Sequence, residues 1–129
     1  MKKIILVGLV FLSLGVKSQT PERVLAELKK QNVLFPKIVL AQSIEETGWY
    51  KCTNCSMDKN NIFGLWNHKK QEYYKYDTWQ ESIGGYLRGI QYKYDSTKYK
   101  DYYEFLEAIG YAQNPLYIPN IKKLIKNYE

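Results

Sequence analysis

Glu45 and Glu46 stand side by side at the end of the apolar stretch that runs from Ile38 to Ile44. A carboxylate at the end of a buried helix is costly unless it is paired or protonated. Burial raises a carboxyl pKa, and a raised pKa is what a general acid needs near neutral pH. Glycoside hydrolysis uses such a group most directly, because a protonated carboxyl donates to the glycosidic oxygen. Two readings of the pair stand: one of the two is such an acid, or both are solvated acids at a helix end. Helical spacing does not choose between them. Glu45 falls beside Ile38 and Ala41, and Glu46 beside Val39 and Gln42. Of the other acids, Glu81 is explained by a capping role, while Asp58 and Glu72 are the only carboxylates between Glu46 and Tyr76.

The elements that must position these groups are mostly helical. Thr20-Pro21-Glu22 sets an N-cap, a proline at the first helical position and an acid in the first turn. Val24, Leu25 and Leu28 then face inward over 21–31. A second helix runs from Pro36 to just before Gly48, and its apolar residues nearly encircle it, so it should be central. Asn60 to Trp66, a polar tip over 67–71 and the aromatic stretch Tyr73 to Tyr76 read as a small β-hairpin. Thr78 and Glu81 form a capping box. It opens a helix with Trp79, Ile83, Tyr86, Leu87, Ile90 and Tyr94 at helical spacing. Asp101 caps the next, with Glu104 at its third position and Gly110 at its end. Asn114-Pro115 opens the last, with Pro119 placed to delay or kink it.

At 129 residues the chain makes one domain. Residues 1–18 read as a secretory signal peptide: a basic start at Lys2 and Lys3, an apolar run over 4–14 and small residues Val16 and Ser18 before a cut. The run is shorter than the ~20 residues of a membrane span. Removing Lys2, Lys3 and Lys17 lowers the net charge from +6 to +3. A mildly basic chain without a dense Lys/Arg run suits an anionic polymer such as a cell wall, or simply solubility, and is not a nucleic-acid footprint. Cys52 and Cys55 in an exported chain read as a local disulfide. A redox motif lacks its βαβ setting, and a zinc site would find only His68 as a further ligand.

Four blocks in order, A-Q-S-I-E-E-T-G-W, N-N-I-F-G-L, K-Y-D-T-W-Q-E-S-I and I-G-Y-A-Q-N-P-L-Y-I, span roughly 36–125. Together they resemble the glucosaminidase family, glycoside hydrolase family 73, exported enzymes that cut peptidoglycan. The resemblance implies a lysozyme-like domain over 19–129, α+β and predominantly α with one short hairpin. The family places its catalytic glutamate directly before S/T-G, which here is Glu46; Glu45 falls on a position the family does not use. Tyr50 departs from the small residue often found after G-W.

The resemblance also implies a β-1,4 cut after N-acetylglucosamine, with Glu72 on the hairpin and Tyr111 as candidate partners of Glu46. Gln42, Asn61, Phe63, Trp66 and Tyr117 are the candidate substrate contacts; Phe63 reads first as core, and Asn60 and Asn61 as stabilising the turn before the hairpin. If Glu72 is too distant, a water directed by other groups or the substrate's own 2-acetamido oxygen completes the reaction. Two rivals stay open: a muramidase or lytic transglycosylase cutting the alternate bond, and a non-catalytic wall-binding protein. No metal or organic cofactor is implied. The expected partner is a peptidoglycan glycan strand held in an open groove, with no nucleic acid. The mature chain is expected to act as a monomer with no membrane span, secreted or periplasmic.

Overall fold

The structure, a computed structural model, describes residues 19–111 and 113–129, so the expected leader over 1–18 lies outside the described residues. The described chain is α+β and predominantly α. Helix α1 is Pro21–Lys30, α2 Pro36–Thr47, α3 Trp79–Gly89, α4 Tyr102–Ala108 and α5 Tyr117–Ile125. A two-stranded antiparallel hairpin, β1 (Trp66–Asn67) and β2 (Glu72–Tyr73), pairs Trp66 with Tyr73 and Asn67 with Glu72. Among the described residues no helix is long and apolar enough to cross a membrane.

Helix α2 organises the rest. Val39 to Ile44 are all buried, together with Thr47, so the helix is enclosed on nearly every side. Val24 and Leu28 of α1, Ile83 and Tyr86 of α3, and Tyr102, Phe105 and Leu106 of α4 share one core with its Val39, Leu40 and Ile44. Its Ala41 packs instead with Tyr117, Ile121 and Ile125 of α5. Burying each of these large apolar side chains contributes about 1.5–3 kcal/mol. The chain enters α2 through Phe35 in the left-handed region (φ 52°) and leaves it through Gly48 (φ 57°). A run of three left-handed residues, Gly48, Trp49 and Tyr50, turns the backbone off the helix right after Glu46 and Thr47. The Thr47 hydroxyl holds that turn by accepting the Tyr50 N–H at 2.9 Å, and the Tyr50 and Ser43 hydroxyls meet at 2.6 Å. Cys52 and Cys55 form a disulfide just beyond it.

The caps read from sequence are present. Thr20 accepts the Arg23 N–H, Thr78 and Glu81 make the reciprocal capping box, and Asp101 accepts the Glu104 N–H. Three boundaries differ. Helix α3 stops at Gly89, short of Ile90 and Tyr94, where Gln91 turns inward to bond both backbone groups of Leu34. Helix α5 begins at Tyr117 rather than at Asn114, whose side chain instead caps a turn by accepting the Leu116 N–H. Pro119 therefore sits in the first turn, where a missing N–H breaks nothing. The hairpin is shorter than its aromatic stretch. The Asn61 side chain takes the Leu65 and Tyr74 carbonyls at 2.9 and 3.0 Å, in place of a regular ladder.

Candidate active site

The C-terminus of α2, the loop 61–65, the hairpin and α3 enclose a cleft of about 700 Å³. Glu46 is the one carboxylate among the described residues that lines it. The residue as a whole is exposed, like Glu45, and it lies on the cleft lining beside Gly64. Desolvation lifts its pKa from 4.5 to about 7; a hydrogen bond from Tyr117 opposes the rise, and the neighbouring Glu45 charge adds to it. A carboxyl in that range holds a proton near neutral pH and can still release it. Glu45, one residue earlier, points away to solvent, where Asn120 Nδ2 donates to it at 3.2 Å.

The loop opposite Glu46 is built around Asn61, which is fully buried. Its amide nitrogen donates to two carbonyls, and its oxygen accepts the N–H groups of Phe63 and Leu65 at 3.3 and 3.0 Å. With all of these bonds made, the loop has one conformation. That conformation sets Gly64 at φ +63°, where a Cβ would come 3.0 Å from Glu46 Oε1. Only glycine lets the backbone pass this close to the carboxyl. Tyr111 borders the same corner, and its hydroxyl donates to the Phe63 carbonyl at 3.1 Å. Burial pushes the Tyr111 phenol well up, so it stays protonated.

The far side of the cleft is of another kind. Trp66 on β1 is 39 % exposed and stands edge-on to Tyr73, with ring centroids 5.0 Å apart. His68, Tyr74 and Tyr76 continue the aromatic and polar lining, and Arg88 and Lys93 bring positive charge. Neither cation forms an ion pair among the described residues. A Cβ on Gly85 would collide with the Tyr76 hydroxyl, so Gly85 is what lets Tyr76 lie on α3, while its neighbour Gly84 leaves room for the Arg88 guanidinium. Tyr76 and Arg88 also border a second recess of about 480 Å³, lined further by Gln31, Gln80 and Glu81.

The predicted site residues divide accordingly. Glu46, Phe63, Trp66 and Tyr111 border the cleft. Phe63 does so with only 1 % exposure, its ring 4.7 Å from that of Tyr86, so it is core. Gln42 and Asn61 have no exposed surface and Tyr117 only 7 %, so they stand behind the cleft wall and touch nothing in it. Glu72 is not in the cleft lining either. It lies exposed on β2, 3.9 Å from Lys59 Nζ, because the short hairpin register turns it outward. Asn60 holds the Tyr76 and Asp77 carbonyls, 16 and 17 residues away, rather than a local turn. Among the described residues, no group of three His, Cys, Asp or Glu side chains is placed to hold a metal.

Sequence reasoning did not single out Gly64, Tyr76, Arg88 or Lys93. The Gly84-Gly85 pair inside an amphipathic helix was a readable signal of close approach.

Among curated proteins none matches the chain. Residues 22–129 match the family model described as glucosaminidase, mannosyl-glycoprotein endo-beta-N-acetylglucosaminidase. The match takes in every residue that lines the cleft, and by it the chain belongs to the glucosaminidase family.

Proposed function

We propose that the chain is an exported enzyme that hydrolyses the β-1,4 bond on the reducing side of N-acetylglucosamine in peptidoglycan, with Glu46 as general acid. The observation that carries this reading is Glu46, the one carboxyl among the described residues that lines the first cleft, with its pKa raised to about 7. Glu46 gives its proton to the glycosidic oxygen as the bond to C1 breaks and the leaving sugar takes the electron pair. With Glu72 turned away to Lys59, the nucleophile is the substrate's own 2-acetamido oxygen, which closes on C1. Water then attacks C1 and reopens that ring. It passes its proton to the Glu46 carboxylate, which restores the acid. Trp66 offers a ring face to a sugar. Arg88 and Lys93 suit the carboxylates of a peptide-bearing strand. The leader read over residues 1–18 would deliver the chain outside the cytoplasm, where it works as a monomer.

Purified peptidoglycan digested with the mature chain, then reduced and read by mass spectrometry, tests the reading. Reduced N-acetylglucosamine ends are expected, and none with Glu46→Gln. Reduced muramic or 1,6-anhydro ends would move the cut to the alternate bond. Binding without new ends would leave a wall-binding protein.

A further inference from the structure

Behind Glu46 a line of buried polar side chains crosses the core. The Leu34 N–H donates to Gln91 Oε1 at 2.8 Å. That fixes the other end of the amide. Gln91 Nε2 donates to the Leu34 carbonyl and to the Tyr102 hydroxyl, both at 3.0 Å. The Tyr102 and Tyr86 hydroxyls are 2.8 Å apart. The Tyr86 hydroxyl donates to Gln42 Oε1 at 2.5 Å, and Gln42 Nε2 donates to the Tyr117 oxygen at 3.4 Å.

The direction of every link follows from the first. A backbone N–H can only donate, so Gln91 turns its oxygen to Leu34 and its nitrogen to Tyr102. Tyr102 accepts, so its one proton goes to Tyr86. Tyr86 accepts, so its one proton goes to Gln42. Gln42 therefore shows its oxygen to Tyr86 and its nitrogen to Tyr117. Tyr117 must accept from that nitrogen, so its own proton is left to face Glu46, one helical turn on from Gln42.

We propose that Gln42 is a positioning residue: Tyr86 holds it one way round, so that the Tyr117 hydroxyl acts only as a donor toward Glu46. The bond steadies the carboxylate that exists between the two proton transfers. It limits how far desolvation weakens the acid. The catalytic consequence rests on the reading of Glu46 as the acid; the hydrogen-bond direction does not.

The test follows the Glu46 side-chain carboxyl by carbon NMR against pH, alongside the pH profile of wall digestion. It compares the wild type, Gln42→Met, Tyr117→Phe and the double variant. Tyr117→Phe should move the Glu46 midpoint up by about one unit. Gln42→Met should move it up by about a few tenths of a unit as the polarisation of the phenol is lost. In the Tyr117→Phe background the Gln42 substitution should then move nothing, since its route is gone. Equal shifts in both backgrounds, or none in either, would reduce Gln42 to packing and overturn the proposal. Tyr86→Phe keeps the ring against Phe63 and frees the amide to turn. It should shift the midpoint in the same direction, and it replaces Gln42→Met if that variant does not fold. A titration that follows the cycle without wall digestion would sink the proposed reaction and leave this inference standing.

Discussion

The two walls of the cleft are made differently. On the Glu46 side Gln42, Asn61 and Tyr117 are buried, and no buried side-chain nitrogen or oxygen among the described residues lacks a partner. On the hairpin side Trp66 and Tyr74 are 39 % and 45 % exposed, and the strands are two residues long. The first wall is a set of fixed dipoles around one carboxyl. Such preorganisation avoids rearrangement when charge develops there. The second has few bonds of its own and presents ring faces and cations to whatever enters. The difference separates proton transfer from substrate holding, and substitutions on the two walls should fail in different ways.

The largest effect belongs to Glu46. Glu46→Gln should lower wall digestion by about 10³-fold or more, near the upper range for loss of a general acid. Its effect on stability has a definite sign. The folded pKa of about 7 lies above the ordinary carboxyl value of 4.5, so between these the folded state binds more protons than the unfolded. Wild-type stability therefore falls as pH rises through that window and is flat beyond it. Glutamine keeps the neutral shape and carries no such dependence. Melting curves should show Glu46→Gln gaining on the wild type from pH 5 to pH 8. Equal melting temperatures at every pH would mean that the carboxyl is not desolvated. Wild-type digestion should fall in parallel above about pH 7 as the acid loses its proton.

Gly64→Ala should come next. A non-glycine residue in the left-handed region costs about 1–2 kcal/mol, and here the new methyl would meet Glu46 Oε1 at 3.0 Å. The melting temperature should drop. Digestion should fall by up to about 10²-fold, as expected when a reacting group is displaced by about 1 Å. Full activity with a lowered melting temperature would show that the carboxyl has room to move, and that the first wall is less rigid than its bonds imply.

What the sequence made readable follows the range of the interactions. Thr20, Thr78 and Asp101 cap through partners three residues away, and each was legible. So were the enclosure of α2 and the break at Gly48, because period and glycine are local signals. Gln42 was read as facing substrate because residue type and motif say nothing of which side of a wall a side chain takes. Its partners Tyr86 and Tyr117 lie 44 and 75 residues away. Glu72 was read toward the site from its place on a hairpin. A two-residue register fixes its face, and that register is set by Asn61 bonds 4 and 13 residues long. The chemistry of the acid was legible; the tuning of the acid was not, since it is made of long-range contacts between ordinary residues.

Substitutions on the second wall should touch binding first. Trp66→Ala removes a ring face and no group of the proton path. KM for wall fragments should rise about tenfold with kcat nearly unchanged, the mark of binding shared by ground and transition states. A collapse of kcat instead would place the tryptophan against the reacting sugar and blur the division between the walls.

The smallest effect is expected at Glu72. It is the only carboxylate of the hairpin, and a two-carboxylate mechanism would need it across the sugar from Glu46. Its observed partner is Lys59 at 3.9 Å, both groups open to water. A pair of this kind is worth about 0–1 kcal/mol. Glu72→Gln should therefore leave kcat within about twofold, since it removes no interaction made only in the transition state, and barely move the melting temperature. The internal acetamido nucleophile predicts more: a substrate with the N-acetyl group removed should be cut poorly by wild type and Glu72→Gln alike. If Glu72→Gln instead fails as Glu46→Gln does, the hairpin must swing its carboxylate into the cleft when substrate binds. The second wall would then carry half of the chemistry, and its looseness would be the means of delivering it.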